Sequence, residues 1–549
     1  GVNAYLGECR RGERPWPAEL ARLHERPADW RPEESVMVLL GFGITLDLDL
    51  AELSEASAVA DSGVVWAAKR GRYEDRWIYD TIPDTAAARL WPRPATRAAA
   101  PAPRPEPSLA LEAPHPALSR DVLAACAGLL RAHPARDPEG GDRASNEFVV
   151  GGKRSASGKP VLANDPHLGL ATPGPIYVVQ VSVPGVVDAV GGGAAGIPAI
   201  VTGRNPRVAW GVTALSADVV DVYADTISAD GKRVRTHSAR GRSGWAPIRT
   251  LPFALHYRVL GLSLPLPAFV QARRYTPHGP VLVWDPKRHL ALSARWTALE
   301  DDRITLGRLI GLERSRSAAE VCERMGTLVT PCFNVVAADV DGDARFRSVG
   351  LLPVRANVPG PGPIPSNGRF EWSGFVPADQ MPQWRVPPTG FAVNGNNRPV
   401  GTSYPYALPR FDWPHDRARR MAQRLEGDRS ITLEDAASVE NDVVSLAADR
   451  NVRHMVECAD SLWGILPPRA KAALDTLRIW DDRLVRSRVA PTLYRAWFGA
   501  YQRRSQLEGF PGLALASLMS RAPEALHVPG KPGEAETPSV AACAALGMA

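Results

Sequence analysis

The sequence predicts an α+β protein whose strands and helices fall in separate blocks, and three observations carry that expectation. From Ser145 to about Gly350, short apolar runs of strand length recur: NEFVVGG, PIYVVQVSV, VVDVYADTI, HLALSARWTAL and FNVVAADVDGDARFRSVG. From Arg417 onward the spacing turns helical, in RARRMAQRLEG and TLEDAASVENDVVSLAADRNVRHMVECAD. Residues 1 to about 90 also read as helical, around WRPEESVMVLLGFG. Strands in one block and helices in the next indicate packed layers. At 549 residues, two or three lobes or one very large domain are expected.

In chain order, WRPEESVMVLLGFG places acidic residues in a first helical turn ahead of an apolar run, within a helical portion expected over residues 1–91. Between Pro92 and Pro107 the text PRPATRAAAPAPRPEP can bury almost nothing and reads as a linker. A short helical piece, SRDVLAACAGLLRAH, and the polar DPEGGDRA complete a spacer over 92–144. The remainder, 145–549, opens with strands. Asp341-Gly342 between two of them is a hairpin signal, and Thr432-x-x-Asp435 is a capping pattern at a helix start.

Composition excludes several classes. Hydrophobic content of 45% and charged content of 23% are ordinary for a globular protein, so any disorder is local. The net charge of +6 is spread thinly, without a dense basic run interleaved with aromatics, which argues against nucleic acid as a partner. Six cysteines occur without C-x-x-C spacing, which favours free buried thiols over a zinc or redox motif. The most apolar run, Gly185 to Gly203, is glycine-rich and carries Asp188, so no membrane span is expected. GVNAYLGECRRG lacks the apolar core of a signal peptide.

Ser145 follows a polar, cleavable segment and begins a strand. If the chain were cut there, the new α-amine would sit beside its own hydroxyl. With an ordinary pKa of about 7.7 to 8.0, that amine is partly neutral near physiological pH and can accept the hydroxyl proton through water. Ser145-Asn146, then SASGKPVLANDPHLG, NPRVAWGVTALSADVVDVY, TPHGP and FAVNGNNRP with a following DRARR, resemble in order and spacing the penicillin acylase family of N-terminal nucleophile hydrolases.

The resemblance implies a four-layer αββα sandwich of the N-terminal nucleophile hydrolase type. It also implies a precursor that cuts itself between Ala144 and Ser145 into an αβ heterodimer. Many members have glycine before the nucleophile, so Ala144 is a departure that would slow processing without forbidding it. His167, in NDPHLG, matches a position that helps hold the seryl amine and hydroxyl. The backbone N–H of Ala214 and the side-chain amide of Asn396 match the two oxyanion donors, with Asn394 and Asn397 as neighbours in the same tract. Arg417 matches an arginine that orients the asparagine and the substrate, with Arg420 as its rival. A structural calcium is implied on Asp218, Val220 and Asp221, with Glu52 as a further candidate ligand. No organic cofactor is implied.

The acyl pocket, by the same register, should include Leu168, Thr202 and Val212. Relatives that accept phenylacetyl groups carry aromatic side chains where this chain has Leu168 and Thr202, so the expected substrate is an aliphatic acyl amide, such as an acyl-homoserine lactone or a lipopeptide. Compared with the family, the chain is expected to start late and stop early, and a periplasmic or secreted location is implied by the family alone. A relative that no longer processes itself and acts only as a binding or inert protein is the alternative. A calcium-stabilised structural module is a third reading.

Overall fold

The computed structural model describes residues 1–47 except 23, residues 79–91, and residues 144–507 except 170, 238–242, 256–268, 301–305, 308, 356–361, 402–403, 409–414 and 461–462. The expected linker, the helical piece after it, Glu52 and the last residues of the chain lie outside these, as do Cys126, Cys543 and the side chain of Cys458.

A seven-stranded antiparallel sheet forms one inner layer, in the order Gln383–Arg385, Ala344–Val349, Phe333–Asp339, Val208–Ala214, Ile200–Arg204, Val187–Gly193 and Tyr177–Val183. A three-stranded antiparallel sheet forms the other, with Ala144–Val150 between Val161–His167 and Phe391–Asn394. Val149 and Ala392 of the small sheet share a core with Val336, Ala344 and Phe346 of the large one. Outside the large sheet, the helix Ala318–Met325 packs Ala318, Val321 and Met325 onto Trp210, Val335 and Ala337. Outside the small sheet, the helices Asp416–Gly427 and Leu433–Glu440 bury Met421, Leu425, Ala436 and Val439 against Phe148, Val150 and Val393. The order is thus helix, sheet, sheet, helix, which is the expected four-layer sandwich.

Period-two alternation along Ala144–Val150 sends Val149 to the core between the sheets, and Phe148 and Val150 to the helical layer. Ser145 and Glu147 therefore face the large sheet, and Asn146 faces the helices. A third sheet runs Arg249–Leu255, Phe269–Thr276, Gly279–Asp285, Leu290–Trp296, Val220–Thr226 and Ile364–Pro365. The helices Leu446–Asp460, Pro468–Arg478 and Val489–Leu507 form a separate core around Leu474, Leu477 and Trp497.

The helix Pro32–Leu46 follows WRPEES as read: the Glu34 carboxylate accepts from the Arg31 N–H at 2.8 Å, closing the first turn. At its other end the Asp47 carboxylate accepts from Thr330 Oγ1 at 2.8 Å and from the Cys332 N–H at 3.0 Å, fastening this helix to the large sheet. The hairpin at Asp341-Gly342 joins Phe333–Asp339 to Ala344–Val349, and Gly342 has φ +97°, which side chains disfavour.

The long helical stretch expected from Thr432 to Asp460 is two helices, Leu433–Glu440 and Leu446–Asp460. The Thr432/Asp435 capping box starts the first. Between them Asp442 accepts from the Val444 N–H at 2.9 Å, and from Arg420 and Arg424, so its carboxylate holds a turn that periodicity alone does not reveal. Cys9, Cys322 and Cys332 are free buried thiols.

Candidate active site

Ser145 stands opposite Pro166 at the start of its strand and is 7% exposed. Its backbone N–H donates to Asn396 Oδ1 at 2.7 Å, and its hydroxyl donates to the Ala144 carbonyl, also at 2.7 Å. From the first turn of Asp416–Gly427, Arg417 Nη2 donates to the same Asn396 Oδ1 at 2.8 Å. Arg417 Nη1 donates to the Ser145 carbonyl at 2.5 Å and to Asn146 Oδ1 at 2.8 Å.

Two donors converging on one Asn396 atom require that atom to be the carboxamide oxygen, and leave Nδ2 as a donor. Nδ2 donates to the Ala214 carbonyl at 2.9 Å, and its second hydrogen remains for another acceptor. Asn396 has φ +65°, a left-handed conformation that asparagine tolerates better than most residues. Its neighbours hold it there. Asn394 Oδ1 accepts from the Asn396 N–H, and Asn397 Oδ1 accepts from the Gly395 N–H, both at 2.9 Å. Asn394 and Asn397 are 0% and 1% exposed and turn to Thr81, Thr213 and Tyr79. Of the three asparagines in the tract, Asn396 is the one that meets Ser145. Arg420 is bonded to Asp442 instead and turns away from the site.

Asn164 and Asn396 close one edge of the strand Val208–Ala214. Asn164 Nδ2 donates to the Val212 carbonyl at 2.9 Å and Oδ1 accepts from the Val212 N–H at 3.2 Å, so the carboxamide imitates a neighbouring strand. Gly211 permits this approach: a Cβ there would lie 2.6 Å from the Asn164 Cβ. The Leu215 N–H goes to the Cys332 carbonyl on the other edge. By the alternation of an antiparallel ladder, the Ala214 N–H then points the same way as that of Val212. Pairing with Ile200–Arg204 has already ended at Trp210 there. Among the described residues no side chain accepts from the Ala214 N–H, so it and Asn396 Nδ2 are two donors beside Ser145.

Ser145 opens onto an apolar cavity that meets solvent at its mouth. Its walls are Leu39, Phe42 and Leu46 from the first long helix, Leu168, Ile176, Val201, Val212 and Phe333 from the sheets and their loops, and Leu309, Leu312, Met325 and Leu328 beyond them. Leu168 and Val212 are among these walls. Thr202 does not line the cavity: its hydroxyl donates to Asn164 Oδ1 at 2.7 Å, and strand alternation presents Val201 instead. Two phenylalanines, Phe42 and Phe333, supply aromatic surface the sequence reading did not place there.

His167 pairs with Ala144 in the strand register, but its Nε2 is 2.9 Å from Asp165 Oδ2 and it makes no hydrogen bond to Ser145. Its side chain is 36% exposed, so its bonding partner here is a local carboxylate at the mouth of the site.

Two carboxyl groups near Ser145 escaped the sequence reading. Glu147 is fully buried, its Oε1 accepting from Thr213 Oγ1 at 3.3 Å and its Oε2 without a partner. Burial pushes its pKa well above the ordinary carboxyl value. Glu440, at the end of Leu433–Glu440, has both oxygens buried without a hydrogen bond. Burial, aided by Asp165, pushes it up to about 7 against the pull of Asn146 and Arg417. Asn146 and Asn164 were within reach of sequence reading, because both lie inside the motifs that contain Ser145 and His167. Glu440 had no local signal.

The implied calcium does not fit the residues present. Asp218 and Asp221 do converge, but on the guanidinium of Arg355, whose Nε is 2.9 Å from Asp221 Oδ2 and whose Nη2 is 3.1 Å from Asp218 Oδ1. The main-chain carbonyl that joins them belongs to Asp218, at 3.1 Å from Nη2, and the Val220 side chain is in the core. No group of three or more His, Cys, Asp or Glu side chains arranged for a metal occurs among the described residues.

The family described as penicillin amidase matches residues 1–546. The chain belongs to the penicillin amidase family. Penicillin acylase 2 proenzyme of Pseudomonas sp. (strain SE83) is 29% identical over 92% of the chain, and the acyl-homoserine lactone acylase QuiP of Pseudomonas aeruginosa is 27% identical over 92%. These matches cover 61% and 58% of the two relatives, so the chain spans about three fifths of their length. Among solved structures, a thermostable penicillin G acylase from Alcaligenes faecalis superposes with a TM-score of 0.55 at 21% identity, over 72% of this chain and 70% of that one, which supports the shared fold. Within this penicillin amidase chain, Ser145, Ala214, Asn396 and Arg417 come together from four separate segments. Leu168 and Val212 flank them on the cavity wall. Thr202, His167 and the Asp218/Asp221 pair have other bonding partners.

Proposed function

We propose that the chain is the catalytic part of an amide hydrolase that removes an aliphatic acyl group from an amine-bearing partner, with Ser145 as its N-terminal nucleophile. The observation that carries this reading is the Ser145 site itself: a serine at the mouth of an apolar cavity, its N–H fixed on a carboxamide that an arginine orients.

Processing begins with attack of Ser145 Oγ on the Ala144 carbonyl carbon. The C–N bond breaks as the C–O bond forms, the hydroxyl proton passes to the departing nitrogen, and water then hydrolyses the ester to free Ala144 as a carboxylate. The product is an αβ pair from one precursor, with a free amine on Ser145. In turnover that amine takes the Oγ proton through a water while Oγ attacks the substrate carbonyl. The Ala214 N–H and Asn396 Nδ2 receive the developing oxyanion, and each such donor is worth about 3 to 4 kcal/mol. The proton goes on to the leaving amine, and a water molecule releases the acyl group by the same steps reversed. Arg417 keeps the Asn396 oxygen occupied, so that Nδ2 stays turned toward the reacting carbonyl. The chemistry uses these protein groups and water and calls for no organic cofactor.

A linear acyl chain suits the cavity because each buried methylene contributes about 0.8 kcal/mol against its leucine, isoleucine, valine and methionine walls, which outnumber Phe42 and Phe333. Acyl-homoserine lactones and lipopeptides are the substrate classes this favours. Export to the periplasm or beyond accompanies the reading through the family. No helix of the described residues is long and apolar enough to cross a membrane. The test compares kcat/KM for octanoyl and phenylacetyl derivatives of one chromogenic amine. A preference for octanoyl is expected, and a clear preference for phenylacetyl overturns the aliphatic assignment. A chain that stays uncut before Ser145 and is inert toward both would favour the relative that no longer processes itself.

A further inference from the structure

The strand Val220–Thr226 buries Val220, Val222 and Ala224 in the core between the layers and turns Asp221, Tyr223 and Asp225 to the opposite face. Asp221 is 1% exposed there, so its charge needs a partner inside the protein. Arg355, from the strand Pro353–Arg355, is a charged partner within reach, with its side chain 7% exposed.

The guanidinium reaches both Asp221 oxygens, at 2.9 Å from Nε and 3.2 Å from Nη2. Nη2 also reaches the Asp218 carboxylate and its main-chain carbonyl, both at 3.1 Å. Trp372 Nε1 donates to Asp221 Oδ2 at 2.5 Å from the other side. Two carboxylates and a carbonyl are the hard oxygen donors that calcium selects, but calcium requires six to eight of them at about 2.3 to 2.6 Å. Here those oxygens are spread around a planar fork of N–H donors, at hydrogen-bond lengths.

We propose that Arg355 is a built-in cation, filling the place that the family resemblance gives to calcium and tying Asp218 and Asp221 to the Pro353–Arg355 strand without a metal. The stability of this region is then independent of calcium. It also follows that the site is latent: removing the guanidinium takes away the cation that Asp218 and Asp221 share, and a divalent or trivalent cation can take its place.

The test is thermal melting of the whole protein with calcium or with a chelator, paired with terbium luminescence excited through tryptophan, since Trp372 touches Asp221. The unmodified protein should melt at the same temperature in both and give no terbium signal. Arg355→Ala should melt lower in chelator, recover by on the order of 5 °C with excess calcium, and sensitise terbium. Arg355→Lys keeps a charge and should remain indifferent to calcium if it folds. A calcium-dependent melt or sensitised terbium in the unmodified protein overturns the proposal. So does an Arg355→Ala protein that folds and binds neither ion. If that variant does not fold, the unmodified protein alone still decides.

Discussion

Replacing Asn396 by aspartate separates its two roles. The aspartate keeps an oxygen where Oδ1 accepts from the Ser145 N–H at 2.7 Å and from Arg417 Nη2 at 2.8 Å, and adds a charge that the guanidinium welcomes. It replaces Nδ2 by a second acceptor, 2.9 Å from the Ala214 carbonyl, where no donor remains. Stability should fall by no more than about 1 to 3 kcal/mol, the cost of leaving the Ala214 carbonyl facing an acceptor, and the stronger pair with Arg417 offsets part of it. Turnover should fall by about 100- to 1000-fold, the loss of one oxyanion donor.

Alanine is a poorer test. It strips partners from Ser145, Arg417 and Ala214 together, at about 1 to 3 kcal/mol for each buried group left unsatisfied, and adds about 1 to 2 kcal/mol for the left-handed backbone. The assay is kcat on a chromogenic octanoyl amide, normalised to the processed fraction on a denaturing gel, beside a melting curve. A folded, processed Asn396→Asp enzyme with near-normal kcat would refute the donor role of this carboxamide, and the Ala214 N–H would have to act with another group.

Activity should decline on acidification as the seryl amine of the processed enzyme takes a proton, and Glu440→Gln should keep that limb of the pH–rate profile because the carboxyl is not the base; a rate flat to about pH 5 contradicts the amine. Leu168→Phe should shift kcat/KM toward phenylacetyl substrates if Leu168 bounds the acyl group, and an unchanged ratio would move that wall elsewhere. His278 is clamped at 2.7 Å by Asp225 and at 3.1 Å by Glu371 and stacks on Tyr223, with Arg295, Arg235 and His237 in the same cleft. Burial alone would depress its imidazolium, but the two carboxylates outweigh that and push it up to about 9. Its folded value lies above the unfolded one, so its contribution is complete below about pH 6.5 and is lost as pH rises through 9. His278→Gln should thus cost about 3 kcal/mol at pH 6 and much less above pH 9.5, by chemical denaturation, and a pH-independent gap would show that the imidazolium is not what matters.

Much of this was legible in the sequence because it is local. The strand at Ser145 alternates in text as it does in space, the Thr432/Asp435 box caps the helix it precedes, and Asp341-Gly342 turns the hairpin it promised. What was lost lies in partners distant along the chain. Arg355 sits far from Asp218 and Asp221 in sequence, so an acidic pair that reads as a calcium stretch is in fact closed by a cation no local pattern reveals. Thr202 went wrong by a single residue, which in a strand moves a side chain to the opposite face. His167 was read for its neighbourhood to Ser145, while Asp165, two residues away on the same face of the strand, claims its ring.

The account rests on the bond between Ala144 and Ser145, and its most direct measurement is a denaturing gel with N-terminal sequencing of the purified protein and of its Ser145→Ala variant. The unmodified protein should give two fragments, the larger beginning SNEFVV, and the alanine variant should stay one chain, because the hydroxyl that makes the cut is gone. Cleavage of the alanine variant at the same bond in protease-free material, or an unmodified protein that is never cut there, would contradict Ser145 as a self-generated N-terminal nucleophile.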